Sequence, residues 1–221
     1  MNHSPPLHRQ SGLFWLLLMM LTAPMAVSAE QLTAPQQVIQ DISDSLRGVL
    51  NGNSERLKSD PGYVYQLANE VLVPHVDFVR VSSLVLGKHW RRASAAEKEA
   101  FSREFRRLLV RTYSTAFHEF DSWQIHHQPL RMKAGAKDVS VQTKVSRPGA
   151  PPVAVVYRMH LNDGHWKAYD VRIEGISLVT NYRSGFSREL RKGGMTRLIQ
   201  RISDLNERRQ KQQVAIKLAG S

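Results

Sequence analysis

The apolar positions of the chain follow a helical spacing, then a strand spacing, and then a helical spacing again. Thr33 and Gln36 are spaced as a capping box, and the apolar residues within 38–50 share one helical face. A second apolar stripe begins after Asp60, and a short third helix is predicted to end at Gly87. The chain from Thr33 to Gly87 is therefore predicted to be largely helical.

The longest predicted helix begins at Ser94, which forms a second capping box with Glu97. Apolar and aromatic residues recur at helical spacing from Phe101 to Phe120, and arginines occupy the other faces. This pattern predicts a long amphipathic helix with an aromatic buried face.

Alternation of apolar and polar residues replaces the helical spacing after residue 122. Residues 138–146 and 153–161 each place apolar side chains on one face, and residues 123–130 and 165–173 are also predicted strands. Asn162-Asp163-Gly164 is a strong hairpin turn. Neighbouring strands joined by short turns indicate an antiparallel meander.

Helical spacing returns after the strands and is interrupted at Gly193-Gly194. Residues 207–221 are basic with little apolar pattern, and they are predicted to be disordered. The order of helices, strands and helices predicts an α+β fold. We expect an antiparallel curved sheet of about four strands packed against several helices, with an apolar pocket between the layers.

The N-terminus has the layout of a cleavable secretory signal. A basic Arg9 precedes an apolar run over residues 13–21, and Val27 and Ala29 form a small-residue cleavage site. A membrane anchor is the alternative, but the unbroken apolar run is about half of the roughly 20 residues that span a bilayer. We therefore expect a signal peptide over residues 1–29, a single domain over residues 30–206 and a basic tail over residues 207–221, in an exported, soluble protein.

Composition narrows the classes of function. The chain has no cysteine, which excludes disulfides, thiolate catalysis and cysteine-ligated metals. Its net charge is +12, and the predicted signal contains only one of these charges. For an exported protein, anionic lipid headgroups or acidic faces of membrane-bound partners are better counterparts than nucleic acid. A basic surface that serves only solubility remains an alternative.

The polar residues offer no convincing active site. The adjacent pair His126-His127 points to opposite faces of a strand, and His160, Asp163 and His165 surround a hairpin turn without a third firm ligand. Asp170 is the most interesting acid, and it is expected to bond loop backbone or a nearby arginine. Motifs for a serine nucleophile, a phosphate loop or a zinc protease are lacking in the sequence. We therefore expect no catalytic residue, no metal and no cofactor.

Two stretches of the sequence carry a family resemblance. The first contains Leu86-Gly87-Lys88-His89-Trp90, Ala93, Ser94, Glu97, Phe101, Phe105, Leu108, Leu109 and Tyr113. The second contains Trp166, Tyr169, Asp170, Val171, Gly175, Ile176, Ser177, Leu178, Asn181, Tyr182, Arg183 and Phe186. In this order, behind a signal peptide, they resemble the periplasmic phospholipid-binding proteins of the Mla pathway, the MlaC or toluene-tolerance auxiliary family. The tail after Glu207 does not map onto this resemblance.

The resemblance implies a periplasmic carrier of glycerophospholipid rather than an enzyme. The family's implied partners are an inner-membrane ABC transporter complex with a hexameric substrate-binding component and an outer-membrane lipoprotein–porin complex. Its implied role is to maintain the lipid asymmetry of the outer membrane. A monomer without nucleic-acid partners is expected. Two alternatives remain: a periplasmic adaptor or chaperone that binds a partner peptide in the same groove, and a hydrolase on a similar cup.

The residues expected to line the lipid pocket come from one strand face, from helical stripes and from the two matched motifs. They are Val81, Val85, Trp90, Phe105, Leu109, Tyr113, Val139, Val141, Val145, Val155, Tyr157, Met159, Tyr169, Tyr182 and Phe186. Trp90, Tyr169, Tyr182 and Phe186 are equally well explained as ordinary core residues, and the helical spacing of Tyr113 favours the core over a ligand platform.

Overall fold

The computed structural model describes residues 31–114 and 122–219, and helices form most of the first of these two ranges. The predicted signal peptide lies outside these residues. Six α-helices precede the sheet within the described residues: α1 (Ala34–Gly52), α2 (Ser54–Ser59), α3 (Pro61–Val71), α4 (Phe78–Leu86), α5 (Lys88–Arg92) and α6 (Ala95–Tyr113). A short 3₁₀ helix, Val73–His75, joins α3 to α4.

The predicted helix boundaries rest on side chains that satisfy free backbone groups. Glu97 accepts the backbone N–H of Ser94 at 2.8 Å, and the Ser94 hydroxyl accepts that of Glu97 at 3.2 Å. This reciprocal capping box begins α6 as predicted. Gly87 ends α4 at a φ of +55°, and a Cβ atom there would lie 2.8 Å from the Arg183 guanidinium. Glycine therefore meets both a backbone and a packing requirement at this position.

One antiparallel sheet follows, with its strands in chain order. The strands are β1 (Gln124–His127), β2 (Asp138–Arg147), β3 (Ala150–Asn162), β4 (His165–Ile173) and β5 (Ile176–Ser177). The α+β meander is as predicted, but the sheet has five strands rather than about four. The additional strand is the two-residue β5, which is too short to show an alternating pattern in the sequence.

A kinked helix, α7 (Leu178–Ala219), completes the fold. Gly194 has non-helical angles, φ 71° and ψ −170°, and it divides α7 at the predicted interruption. The segment from residue 207, predicted to be disordered, continues as helix to Ala219. Polar bonds rather than an apolar stripe link this part to α6, with Arg209 donating to Thr112 at 2.6 Å and Arg111 donating to Gln210 at 3.3 Å. Because these contacts are polar, they require no apolar residues at helical spacing, and the sequence pattern therefore did not predict this part of the helix.

Three apolar clusters hold the described elements together. The first joins α4, α6 and α7 with Tyr169 of β4, and the second joins α1, α2 and α3 with Val110 of α6. The third places Ile39 of α1 on the sheet, against Val141 and Met159. None of the helices in the described part of the chain is apolar enough over a sufficient length to cross a membrane.

Candidate functional site: an apolar cavity on the open half of the sheet

One face of the sheet is apolar along its whole length, but other parts of the protein pack against only half of this face. Val141 and Met159 lie on the covered half, where both are 0% exposed and pack with Ile39. Leu130 and Met132, from the segment between β1 and β2, pack against the same cluster. The other half of this face borders a cavity instead of a packed layer.

The cavity has a volume of about 630 Å³ and lies between the open half of the sheet and the end of α6. Its lining is mainly apolar among the described residues: Tyr113, Trp123, Ile125, Val145, Ser146, Arg147, Ala150, Pro151, Val153, Val155, Tyr157, Val171 and Ile173. The volume falls within the range of ordinary ligand pockets, and the lining suits an apolar ligand.

A β-bulge at Tyr169 extends the cavity wall onto β4. Met159 pairs with Ala168 and Arg158 pairs with Asp170, so Tyr169 is an extra residue in β4. The extra residue reverses which side chains of the remaining strand face each side of the sheet. Beyond the bulge, Val171 and Ile173 share the cavity face.

Asp170 is turned to the opposite face by the same bulge, where it stabilises the start of α7. The side chain is 5% exposed and accepts hydrogen bonds from the Ser177 hydroxyl at 2.8 Å and from the Val179 backbone N–H at 3.2 Å. Arg172 Nε lies 3.9 Å from the same carboxylate. Asp170 therefore bonds loop and helix backbone, as the sequence predicted, and it lies away from the cavity.

The two tyrosine hydroxyl groups of the cavity, on Tyr113 and Tyr157, are kept protonated by their surroundings. Burial, with the charge and hydrogen bond of Tyr182, raises the pKa of Tyr113 to about 12. Burial also raises the pKa of Tyr157, against the opposing effect of a hydrogen bond with Thr143. Neither phenol is placed to act as a base near neutral pH, because both hold their protons more firmly than an ordinary tyrosine.

Four of the predicted pocket residues lie in the cavity lining: Tyr113, Val145, Val155 and Tyr157. Val139, Val141 and Met159 share their sheet face but belong to the packed half. The structure places the remaining predicted residues in the core formed by α4, α6, α7 and Tyr169: Val81, Val85, Trp90, Phe105, Leu109, Tyr169, Tyr182 and Phe186. The fifteen residues predicted to line one pocket are therefore divided in the structure between the cavity and two apolar clusters.

An aromatic cluster explains why the helical members of that group are core. Phe105 stacks on Phe101 with ring centroids 5.4 Å apart, and it meets Tyr182 and Phe186 at 5.0 and 5.5 Å. These edge and stacked contacts pack α6 against α7.

The described lining contains nine residues that the sequence reasoning did not assign to the pocket: Trp123, Ile125, Ser146, Arg147, Ala150, Pro151, Val153, Val171 and Ile173. Trp123 and Ile125 lie in a segment that the sequence predicted as a strand, and Pro151 is the second residue of β3, in a segment that the sequence predicted as a turn. A signal for Val171 and Ile173 was present, because the apolar spacing of β4 changes from even to odd positions after Ala168. That change is what a β-bulge produces.

The histidines singled out in the sequence have other partners. His126 Nε2 lies 3.0 Å from the Ser146 hydroxyl, and His127 Nε2 lies 3.1 Å from Gln40 Oε1. His160 Nε2 lies 2.9 Å from Asp77 Oδ2, beside the start of α4. Burial lowers the pKa of His127, so this ring is neutral at physiological pH.

Comparison with known proteins agrees with this architecture. The chain matches the family described as MlaC protein over residues 40–204. It is 29% identical to toluene tolerance protein ttg2D of Pseudomonas putida over 81% of this chain and 82% of that protein. It is also 24% identical to the intermembrane phospholipid transport system binding protein MlaC of Haemophilus influenzae, over 86% of this chain and 90% of that one.

A solved structure has the same fold. The phospholipid-binding protein from Ralstonia solanacearum, determined in complex with a phospholipid, superposes with a TM-score of 0.73 at 27% sequence identity. The match covers 80% of this chain and 99% of that one. From the extent of the family match and this shared fold, the chain belongs to the MlaC family.

Proposed function

We propose that the protein binds the acyl chains of glycerophospholipids in the cavity on the open half of its sheet and carries phospholipid across an aqueous space. The observation that carries this proposal is an apolar cavity of about 630 Å³ in a member of the MlaC family. The phospholipid in the Ralstonia solanacearum structure supports the same ligand class.

The physical need for such a cavity follows from the hydrophobic effect. Each exposed methylene group costs about 0.8 kcal/mol in water, so an unshielded two-chain lipid costs on the order of 20 kcal/mol or more. A lining of valine, isoleucine, proline and aromatic side chains removes that cost without recognising a particular headgroup. Binding by chains therefore needs no charged side chain deep in the cavity.

The wider role that we propose is transport between the two membranes of the cell envelope. The protein acts in the periplasm as a monomer and exchanges lipid with an inner-membrane ABC transporter complex and an outer-membrane lipoprotein–porin complex. This exchange maintains the lipid asymmetry of the outer membrane. The name of the Haemophilus influenzae relative, an intermembrane phospholipid transport system binding protein, supports this role.

Co-purified lipid tests the proposal directly. The protein is purified without added lipid, extracted with organic solvent and analysed by mass spectrometry. Near-stoichiometric phospholipid is the expected result. A lipid-free extract from a folded, monodisperse sample would contradict acyl-chain binding and favour a peptide-binding adaptor.

A pair of substitutions on adjacent residues assigns the binding to this cavity. Val155 lines the cavity at 8% exposure, so Val155→Arg places a charge among apolar groups and should remove most co-purified lipid. Ala154 is exposed and faces the other side of the sheet. Ala154→Arg is the matched control and should retain its lipid. Equal lipid content in both variants would refute the assignment of Val155 to the binding wall.

A further inference from the structure

Positive charge is concentrated on α5 and on residues 178–203 of α7, which together we call the basic face. α5 consists of Lys88-His89-Trp90-Arg91-Arg92, with Lys88, Arg91 and Arg92 exposed. Residues 178–203 contain six arginines and lysines and a single acidic residue, Glu189. By contrast, α1, α2 and α3 together carry four acidic and three basic residues. The basic face therefore carries a net charge of +8, two thirds of the chain's net charge of +12.

Contacts between the two segments bring these charges together. The Arg183 guanidinium packs beside Gly87, immediately before α5. Burial lowers the pKa of His89, and the positive charges of Lys88, Arg92 and Arg191 lower it further. The packing of Arg183 beside Gly87, together with the influence of Arg191 on His89, indicates that basic side chains of α7 lie near α5.

The composition of the basic face favours a lipid surface over a protein surface. The exposed large hydrophobic residues of the described chain are Val79, Val153, Ile173, Ile176 and Val214, and all of them lie outside the basic face. The apolar residues of this part of α7, such as Leu198 and Ile202, are buried against the core. Specific protein interfaces have an apolar centre, whereas attraction to a layer of anionic headgroups needs only clustered cations.

We propose that the basic face docks the protein on the surface of anionic phospholipid membranes. Arg91, Arg92, Arg191 and Lys192 contact the phosphate groups of the headgroup layer. This contact is separate from the acyl-chain cavity and does not depend on its occupancy. It holds the protein at a membrane surface, where protein partners embedded in that membrane are then found by diffusion in two dimensions.

Flotation with vesicles measures the proposed contact. Residues 32–221 form a compact unit by themselves, so the protein is tested from Glu30 onward, without the apolar segment that would itself bind lipid. Vesicles of phosphatidylethanolamine with phosphatidylglycerol should bind the protein at low salt, and phosphatidylcholine vesicles should not. Binding should disappear at about 1 M salt, where the screening length falls to about 3 Å.

A variant with four substitutions locates the contact. Each cation near an anionic membrane strengthens partitioning about fivefold, so Arg91→Gln, Arg92→Gln, Arg191→Gln and Lys192→Gln together should weaken it more than a hundredfold. The control removes the same net charge elsewhere, at the exposed residues Arg131, Lys133, Lys137 and Lys144. This control should change partitioning by about fivefold at most, because its charges lie on β2 and the segment before it rather than on α5 or α7.

The outcomes separate this proposal from the proposed function. Selective loss in the basic-face variant, with unchanged circular dichroism and unchanged co-purified lipid, supports membrane docking. Equal losses in the two variants, or failure of the unsubstituted protein to bind anionic vesicles at low salt, would overturn it. Binding of the unsubstituted protein to acidic peptides but not to vesicles would likewise overturn it in favour of a protein partner. Acyl-chain binding would be unaffected by any of these results.

Discussion

Tyr169, the extra residue of the bulge, lies between two guanidinium groups. The Arg80 and Arg158 carbons Cζ are 4.0 and 4.8 Å from its ring centroid. Its hydroxyl donates to Asp138 Oδ1 at 2.6 Å, and Arg80 Nη2 lies 3.2 Å from Asp138 Oδ2. These four residues link α4 to β2, β3 and β4 at the point where the register of β4 changes. The bulge that shapes the cavity wall is therefore anchored by charged side chains.

The pH dependence of stability should report the Asp138 contact. Burial alone would raise the pKa of Asp138, but the Tyr169 hydrogen bond and the charge of Arg80 outweigh it and hold the pKa below its usual value. The ionised carboxylate therefore stabilises the fold above its unfolded pKa of about 3.9, and this stabilisation is lost as the pH falls through the lowered folded pKa. In urea unfolding, Asp138→Asn should be less stable than the unsubstituted protein at pH 7, and the difference should shrink at about pH 2.

Asp163→Asn provides the control for this titration. Asp163 is exposed in the turn between β3 and β4 at a φ of +49°, a conformation that asparagine adopts readily. At pH 7 the unfolding midpoint of this variant should match that of the unsubstituted protein, because the turn conformation accommodates asparagine. A difference for Asp138→Asn that stays constant from neutral to acid pH would show that its carboxylate charge is not the source of the stabilisation.

At the scale of elements, the kink at Gly194 divides α7 into two helical segments. Gly194 combines φ 71° with ψ −170°, a region that is accessible essentially to glycine alone. Gly194→Ala should lower the free energy of unfolding by about 1–3 kcal/mol because a Cβ atom strains this backbone. Gly185 lies in the regular helix before the kink, and a Cβ atom there would have no neighbour within 4 Å.

Gly185→Ala is therefore the matched control for the kink, and its effect should have the opposite sign. Alanine in a regular helix limits the freedom of the unfolded chain, so this variant should be more stable by about 0.5–1 kcal/mol. Thermal and urea unfolding of both variants measure the difference. If both variants were destabilised equally, the special backbone of Gly194 would not be the cause.

The sequence could predict the elements themselves but not which half of the sheet is covered. Alternation identified the apolar face of β2 and β3, and capping boxes located α1 and α6, because these signals are local. Which half of the face is covered depends on where Ile39 and Leu130 pack, and that is a tertiary property. The same alternation therefore placed Val141 and Val155 in one group, although one is core and the other lines the cavity.

At the scale of the whole molecule, the cavity is a local departure from a packed interior. Protein interiors are normally as dense as organic crystals. Here the covered half of the sheet follows that rule, with Val141 and Met159 fully buried, while the open half leaves about 630 Å³ unfilled by the described residues. If acyl chains fill this cavity, the free energy of unfolding of the protein should be higher with lipid than without it.

Lipid removal should therefore lower the stability of the protein, and the loss should depend on the cavity. A ligand that binds only the folded state stabilises it by about 2.7 kcal/mol at a free concentration 100 times its dissociation constant. The protein is stripped of lipid by unfolding and refolding on a column, and its urea midpoint is compared before and after reloading with phospholipid. Reloading should raise the midpoint of the unsubstituted protein and of Ala154→Arg, but not that of Val155→Arg, because the charge occupies the apolar wall. Each variant serves as its own reference, so a lower intrinsic stability of Val155→Arg does not affect the comparison. An equal rise in all three proteins would show that the stabilising lipid binds elsewhere on the molecule.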